Sequence, residues 1–151
     1  MQKPIISYHV LDVDNKYVKR DSVYAGTYNG DDNIYVHVRI WNNFQGTEDV
    51  DTLYNFNLSL RFLTEEDNAL LKYTTLSYIV DDSEMEIPGT IEQNALVGVF
   101  PENVSLSGHA NTGSSQNKDN YVDILITFNA PYDAYLKDHD LKSMILEIVE
   151  R

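Results

Sequence analysis

The chain has no cysteine. That removes disulfide scaffolds, thiol nucleophiles and cysteine-bound zinc together, and it leaves the redox compartment open. Glycine and proline are scarce, at seven and four among 151 residues, and the glycines are dispersed. No glycine-rich loop for a phosphate group can be drawn from them. Basic side chains are few: 11 Lys and Arg stand against 24 Asp and Glu, a formal net charge of −13. Nucleic-acid affinity comes largely from cations displacing counterions, so generic DNA or RNA binding is disfavoured. Anionic membrane surfaces are disfavoured for the same reason. Long apolar runs are missing too. The opening "MQKPIISYHVLDVD" holds one short run, ended by Asp12, too short for a secretory signal or a membrane span. The sequons at Asn57 and Asn103 are then chance matches.

What is present is alternation. In Ile34–Trp41, the residues Ile34, Val36, Val38 and Ile40 share one face, and Tyr35, His37, Arg39 and Trp41 share the other. In 54–62 the apolar face is Tyr54, Phe56, Leu58, Leu60 and Phe62, opposed by Asn55, Asn57, Ser59 and Arg61. Period two over this length marks half-buried strands. Further strands are expected in "PIISYHVLDV", "SVYAGTY", "LLKYTTLSYIV", "ALVGVF", "NVSLSG", "YVDILITF" and "SMILEIV". Turn chemistry separates them, in "YNGDDN", "NNFQGTED", "VDDSEMEIPG", "HANTGSSQNKDN" and "NAPYD". The segment 110–120 reads as a long, mobile loop.

Helix signals are few. Thr64 stands three residues before Asp67, a capping spacing, so "TEEDNALLKY" holds either a helical turn or two or a polar hairpin turn. "PYDAYLKDHDLK" offers another turn, entered by Pro131. Many short strands with almost no amphipathic helix predict an all-β fold, 1–151 as one domain. The expected form is an antiparallel two-sheet sandwich, immunoglobulin-like or jelly-roll.

The candidate site is the outward face of the two best strands. If they neighbour in one sheet, Tyr35, His37, Arg39 and Trp41 lie near Asn57, Ser59 and Arg61. Aromatics beside amides and guanidinium groups can stack on sugars or peptides. The competing readings are that this face is covered by the N-terminal segment or by a neighbouring subunit, or that Trp41 turns into the core, since large aromatics are mostly buried. Acidic runs at Asp12/Asp14, Asp31/Asp32 and Asp81/Asp82/Glu84/Glu86 do not match a calcium loop and read as solvated turns. His9 and His37 fall in strands, and His109 and His139 in loops, without metal-ligand spacing. No metal or cofactor is expected. No nucleophile elbow is present, and no two carboxylates stand apart as a glycosidase pair. Eleven Tyr suit either recognition surfaces or strands, and the second needs less.

Along "VRIWNN…GTEDVDTLYNFNLSLRFLTEED" and "NVSLSG…NYVDILITF" the chain resembles small β-sandwich modules of tailed-phage virion proteins, such as head decoration, fibre and baseplate components. More distantly it is similar to cellulose-type carbohydrate-binding sandwiches, though their planar aromatic row is not identifiable here. The phage resemblance implies homo-oligomeric assembly, protein partners and no catalysis. It places the protein in a virion, or in the cytoplasm before assembly. The rival expectations are a carbohydrate-binding module and a small sandwich hydrolase with an acidic pair.

Overall fold

A computed structural model of the chain describes residues 1–28, 33–129, 139–141 and 143–151, with the backbone alone at 26–28, 66 and 139–141. The strands are β1 (Ile6–Leu11), β2 (Tyr17–Lys19), β3 (Gly26–Tyr28), β4 (Ile34–Asn42), β5 (Phe56–Phe62) and β6 (Thr74–Val80). They continue as β7 (Ser83–Ile87), β8 (Gly89–Glu92), β9 (Ala95–Val99), β10 (Tyr121–Phe128), β11 (His139–Leu141) and β12 (Met144–Glu150). One helical turn, α1 (Glu65–Asn68), and two 3₁₀ turns complete the described elements.

The architecture is an antiparallel two-sheet sandwich. One sheet has the order β2-β1-β4-β10-β6-β7 and the other β12-β5-β9-β8, with a small β3–β11 pair beside them. The alternation explains the packing. Val36, Val38 and Ile40 of β4, with Ile124 and Ile126 of β10, meet Phe56, Leu58, Leu60 and Phe62 of β5 in one buried cluster. Ring pairs tie the sheets together: Phe62–Phe128 at 5.6 Å and Tyr78–Phe100 at 5.9 Å between centroids. Each such side chain, fully buried, contributes roughly 1.5–3 kcal/mol. The sheets pack tightly at Gly98, where a methyl group would sit 2.8 Å from Leu76 and 2.9 Å from Ile87.

Local chemistry sets the boundaries. At α1, the Asp67 N–H donates to the Thr64 hydroxyl oxygen at 3.2 Å, so the capping spacing makes a helical turn. Two hairpins close through two-residue turns with both φ values positive, Asp81–Asp82 and Gln93–Asn94. That is the type I′ geometry, whose twist matches paired strands. The segment 80–89 read as a turn cluster from sequence therefore contains a strand, β7. Pro88 lies between β7 and β8, where the chain passes from one sheet to the other, and its missing N–H costs no ladder bond at a corner.

Other boundaries also differ from the sequence reading. "NVSLSG" is no strand: it makes a single bridge, Leu53 to Leu106. Tyr54 leaves the inward row of β5, because Asn55 adopts φ 47° and turns the chain, and Tyr54 is 63% exposed. His139 stands in a strand, paired with Tyr28, not in a loop. Pro131 with its expected helical turn, and Asp31 and Asp32, lie outside the described residues. Among the described residues, no helix is long and apolar enough to cross a membrane.

Candidate functional site

The first correction concerns the platform expected from β4 and β5 together. The two strands lie in different sheets, with apolar faces turned toward each other. Tyr35, His37, Arg39 and Trp41 therefore point out of one side of the sandwich, and Asn57, Ser59 and Arg61 out of the other. The chain between them, 43–55, crosses from sheet to sheet instead of closing a hairpin. The joint site does not form.

The β4 side carries a second, smaller packed cluster. Strand register sets Trp41 between Ser7 of β1 and Tyr121 of β10, and Arg39 between His9 and Asp123. Trp41 keeps its outward parity yet is only 2% exposed. Phe44 folds back over it edge-on at 4.9 Å, and Tyr121 packs at 4.8 Å. Phe44 also covers His9 at 4.4 Å. Trp41 is thus covered chiefly by Phe44 and Tyr121, where the competing readings expect the N-terminal segment or a neighbouring subunit, and it does not enter the main core.

Arg39 is locked in the same layer. Its guanidinium makes a paired contact with Asp123, at 2.7 and 3.0 Å, and lies 4.2 Å from the Tyr17 ring centroid and 4.1 Å from that of Tyr121. Burial opposes its charge, but the hydrogen bonds and carboxylate of Asp123 outweigh that and raise its pKa. His9 is buried, shares a 2.8 Å hydrogen bond with the Ser7 hydroxyl, and has its pKa pushed down to about 4. Burial is the main cause, and the cations Lys19 and Arg39, its cross-strand neighbours, add to it. On this row Tyr35 is 55% exposed, with Asn33 donating to its hydroxyl at 3.0 Å, and His37 is half-buried.

The asparagines of "WNN" do structural work that the sequence reading passed over. Asn42 is fully buried. It accepts from the Ile5 N–H at 3.0 Å and donates to the Asp51 and Leu106 carbonyls at 2.9 and 3.0 Å. Asn43 donates to the carbonyls of Glu48 and Gly108. Asn120 donates to those of Ser107 and His109, and Asn111 to those of Asn43 and His109. The loop 110–120, read as mobile, is pinned by these amides and by the Tyr121 hydroxyl, which donates to the Ser115 carbonyl at 2.6 Å. At Gly108 a methyl group would run into the Val50 carbonyl, so the backbone crossing there requires glycine.

The pinned loops form one end of the sandwich and frame two clefts, of about 730 and 920 Å³, which share Thr52, Tyr54 and His109. Asp49 and Asp51 line the smaller together with Tyr54, and Asp82 and Asp119 line the larger. Asp49 accepts from the Ala110 N–H at 2.8 Å. Asp12 likewise accepts from its own loop, from the N–H groups of Asp14 and Lys16 at 2.9 Å each, as the turn reading predicted. Among the described residues, no group of three metal-ligating side chains comes together.

On the opposite side of the sandwich, the outward face of β12, β5 and β9 mixes aliphatic with polar residues. Val99 and Val149 are 39% and 44% exposed and flank Asn57 in register. The Asn57 Oδ1 is buried and has no hydrogen-bond partner among the described residues. Neither a family model nor a curated protein matches this chain.

Proposed function

We propose that this protein is a non-catalytic structural or adhesive module that works by protein contact in a larger assembly. The supporting observation is the outward face of the four-stranded sheet. A solvated sheet face alternates to polar residues. Here exposed Val99 and Val149 bracket a buried amide oxygen that lacks a donor among the described residues. Such a face gains by being covered, both from the aliphatic area removed from water and from a hydrogen bond to Asn57. The virion setting, as a head decoration, fibre or baseplate component, is drawn from the resemblance of the sequence to phage modules.

Light scattering on the purified protein tests the reading. A defined oligomer, or a stable complex with another component of the same particle, is the expected result. Replacing Val99 and Val149 together by Lys should loosen it. A strict monomer at high concentration, with no such complex, counts against the proposal.

A second reading has one observation in its favour. Tyr54 stands exposed between the two clefts, beside Asp49, Asp51 and Thr52. An aromatic ring with carboxylates and hydroxyls beside it suits a sugar. The carbohydrate-binding reading therefore moves from Trp41, which is covered, to Tyr54. Retention on an insoluble polysaccharide, lost in Tyr54→Ala and kept in Tyr35→Ala, would support it.

A further inference from the structure

Resting on the contact reading above, we infer that copies of this chain pair head to tail, the β7 edge of one adding to the β2 edge of the next.

The two strands are the outer edges of one six-stranded sheet. Their main-chain groups alternate in availability. On β2, Lys16 and Arg20 bond to the β1 side, through Asp12 N–H to Lys16 C=O at 2.8 Å and Arg20 N–H to Tyr8 C=O at 2.9 Å. That leaves the N–H and C=O of Tyr17 and Lys19 facing outward. On β7, the two-residue turn makes Val80 and Ser83 the closing hydrogen-bonded pair, so Met85 and Ile87 also bond to β6. Glu84 and Glu86 then face outward. Among the described residues these groups have no main-chain partner, and their spacing is the same on both edges.

Charge and polarity match as well. Lys19 lies on the outer face, beside His9, and Glu84 and Glu86 lie on the same outer face, beside Ile79 and Ser77. Val18 points inward on β2 and Met85 inward on β7, and Met85 is left 47% exposed at the open side of the sandwich. Neighbouring strands throughout this sheet are antiparallel, so β2 and β7 run in opposite directions. A second copy set beside the first in the same orientation thus offers an antiparallel partner. The register Lys19 to Glu84, Val18 to Met85 and Tyr17 to Glu86 puts a cation opposite an anion, an aliphatic group opposite a thioether, and a phenol opposite a carboxylate.

Pairing of β7 with another β7 would set Glu against Glu and is opposed by repulsion. A heterologous pairing escapes that, and repeated it builds a ring or a filament. The edge at β12 is less open, because Val23 bonds to Met144 and the Tyr8 hydroxyl accepts from the Ile148 N–H at 2.8 Å.

Sedimentation velocity over a concentration series tests the pairing, with Lys19→Glu and Glu84→Lys, both at exposed edge positions. Wild type should associate as concentration rises, and each single reversal should weaken association at least roughly tenfold. An equimolar mixture of the two variants should associate again, since each supplies the charge that the other lost. The amides of Tyr17, Lys19, Glu84 and Glu86 should gain protection from hydrogen exchange in the associated state. Single variants that associate as wild type does would overturn the edge pairing; if the Val99/Val149 double variant then dissociates them, the contact reading survives without it. A mixture that stays monomeric also overturns the pairing. A wild type that never associates overturns the pairing, and if it also forms no complex, the contact reading goes with it.

Discussion

His9 is held neutral by its surroundings, and that gives stability a pH dependence. Its folded pKa is about 4 against an ordinary 6.5. As pH falls from about 6.5 to about 4, the unfolded chain takes up a proton that the folded one refuses, so stability is lost across that window. Above it the cost vanishes, and below it the loss is complete, at most about 3 kcal/mol. Urea midpoints measured at intervals across the window should fall more steeply for wild type than for His9→Gln. Parallel curves would mean that His9 is not the group responsible. Asn42 works through hydrogen bonds at the same scale. Asn42→Ala strands the Ile5 N–H and two loop carbonyls, each costing about 1–3 kcal/mol if buried and unpaired. A loss of about 3 kcal/mol or more in urea denaturation is expected. Trp41 should emit at short wavelength and resist quenching by iodide, because Phe44 and Tyr121 cover it.

Among the elements, β9 packs tightly against the opposite sheet at Gly98. Gly98 stands opposite Leu58 in the sheet and against Leu76 and Ile87 across it. Gly98→Ala should cost about 1–3 kcal/mol by overpacking, read as a lower thermal midpoint with fold retained. Elements with one buried face could be read from sequence: β4, β5 and β10 alternate without a break. Edge elements could not. In β7 every residue but Ile87 is exposed, and β8 is exposed throughout, so burial writes no pattern into either. Their signal was the pair of turns, and Asp-Asp and Gln-Asn lack the glycine that usually marks a type I′ hairpin.

For the whole molecule, a net charge of −13 means that acidic side chains repel one another across the surface. At neutral pH and low protein concentration, moderate salt should raise the thermal midpoint by screening that repulsion. A midpoint that falls with salt would show that attractive pairs such as Arg39–Asp123 dominate instead.

The sequence by itself determined the fold class and the identity of the main core rows, because those follow from short-range periodicity; at α1 the Thr64–Asp67 spacing left a helical turn and a hairpin turn both open, and the folded backbone chose between them. Only the tertiary structure decided that β4 and β5 meet face to face. Alternation says which side of a strand is greasy, and that side can be buried equally well beside a neighbour or against an opposing sheet. Tertiary structure likewise decided the fate of the β4 face, where Tyr121 and Asp123 arrive on β10, distant in the chain, and Phe44 folds back from the adjoining turn, to close over Trp41 and Arg39. Tertiary structure decided too that, among the described residues, nothing covers Tyr54 or the outer edges of the six-stranded sheet, because coverage depends on which segments the fold brings alongside.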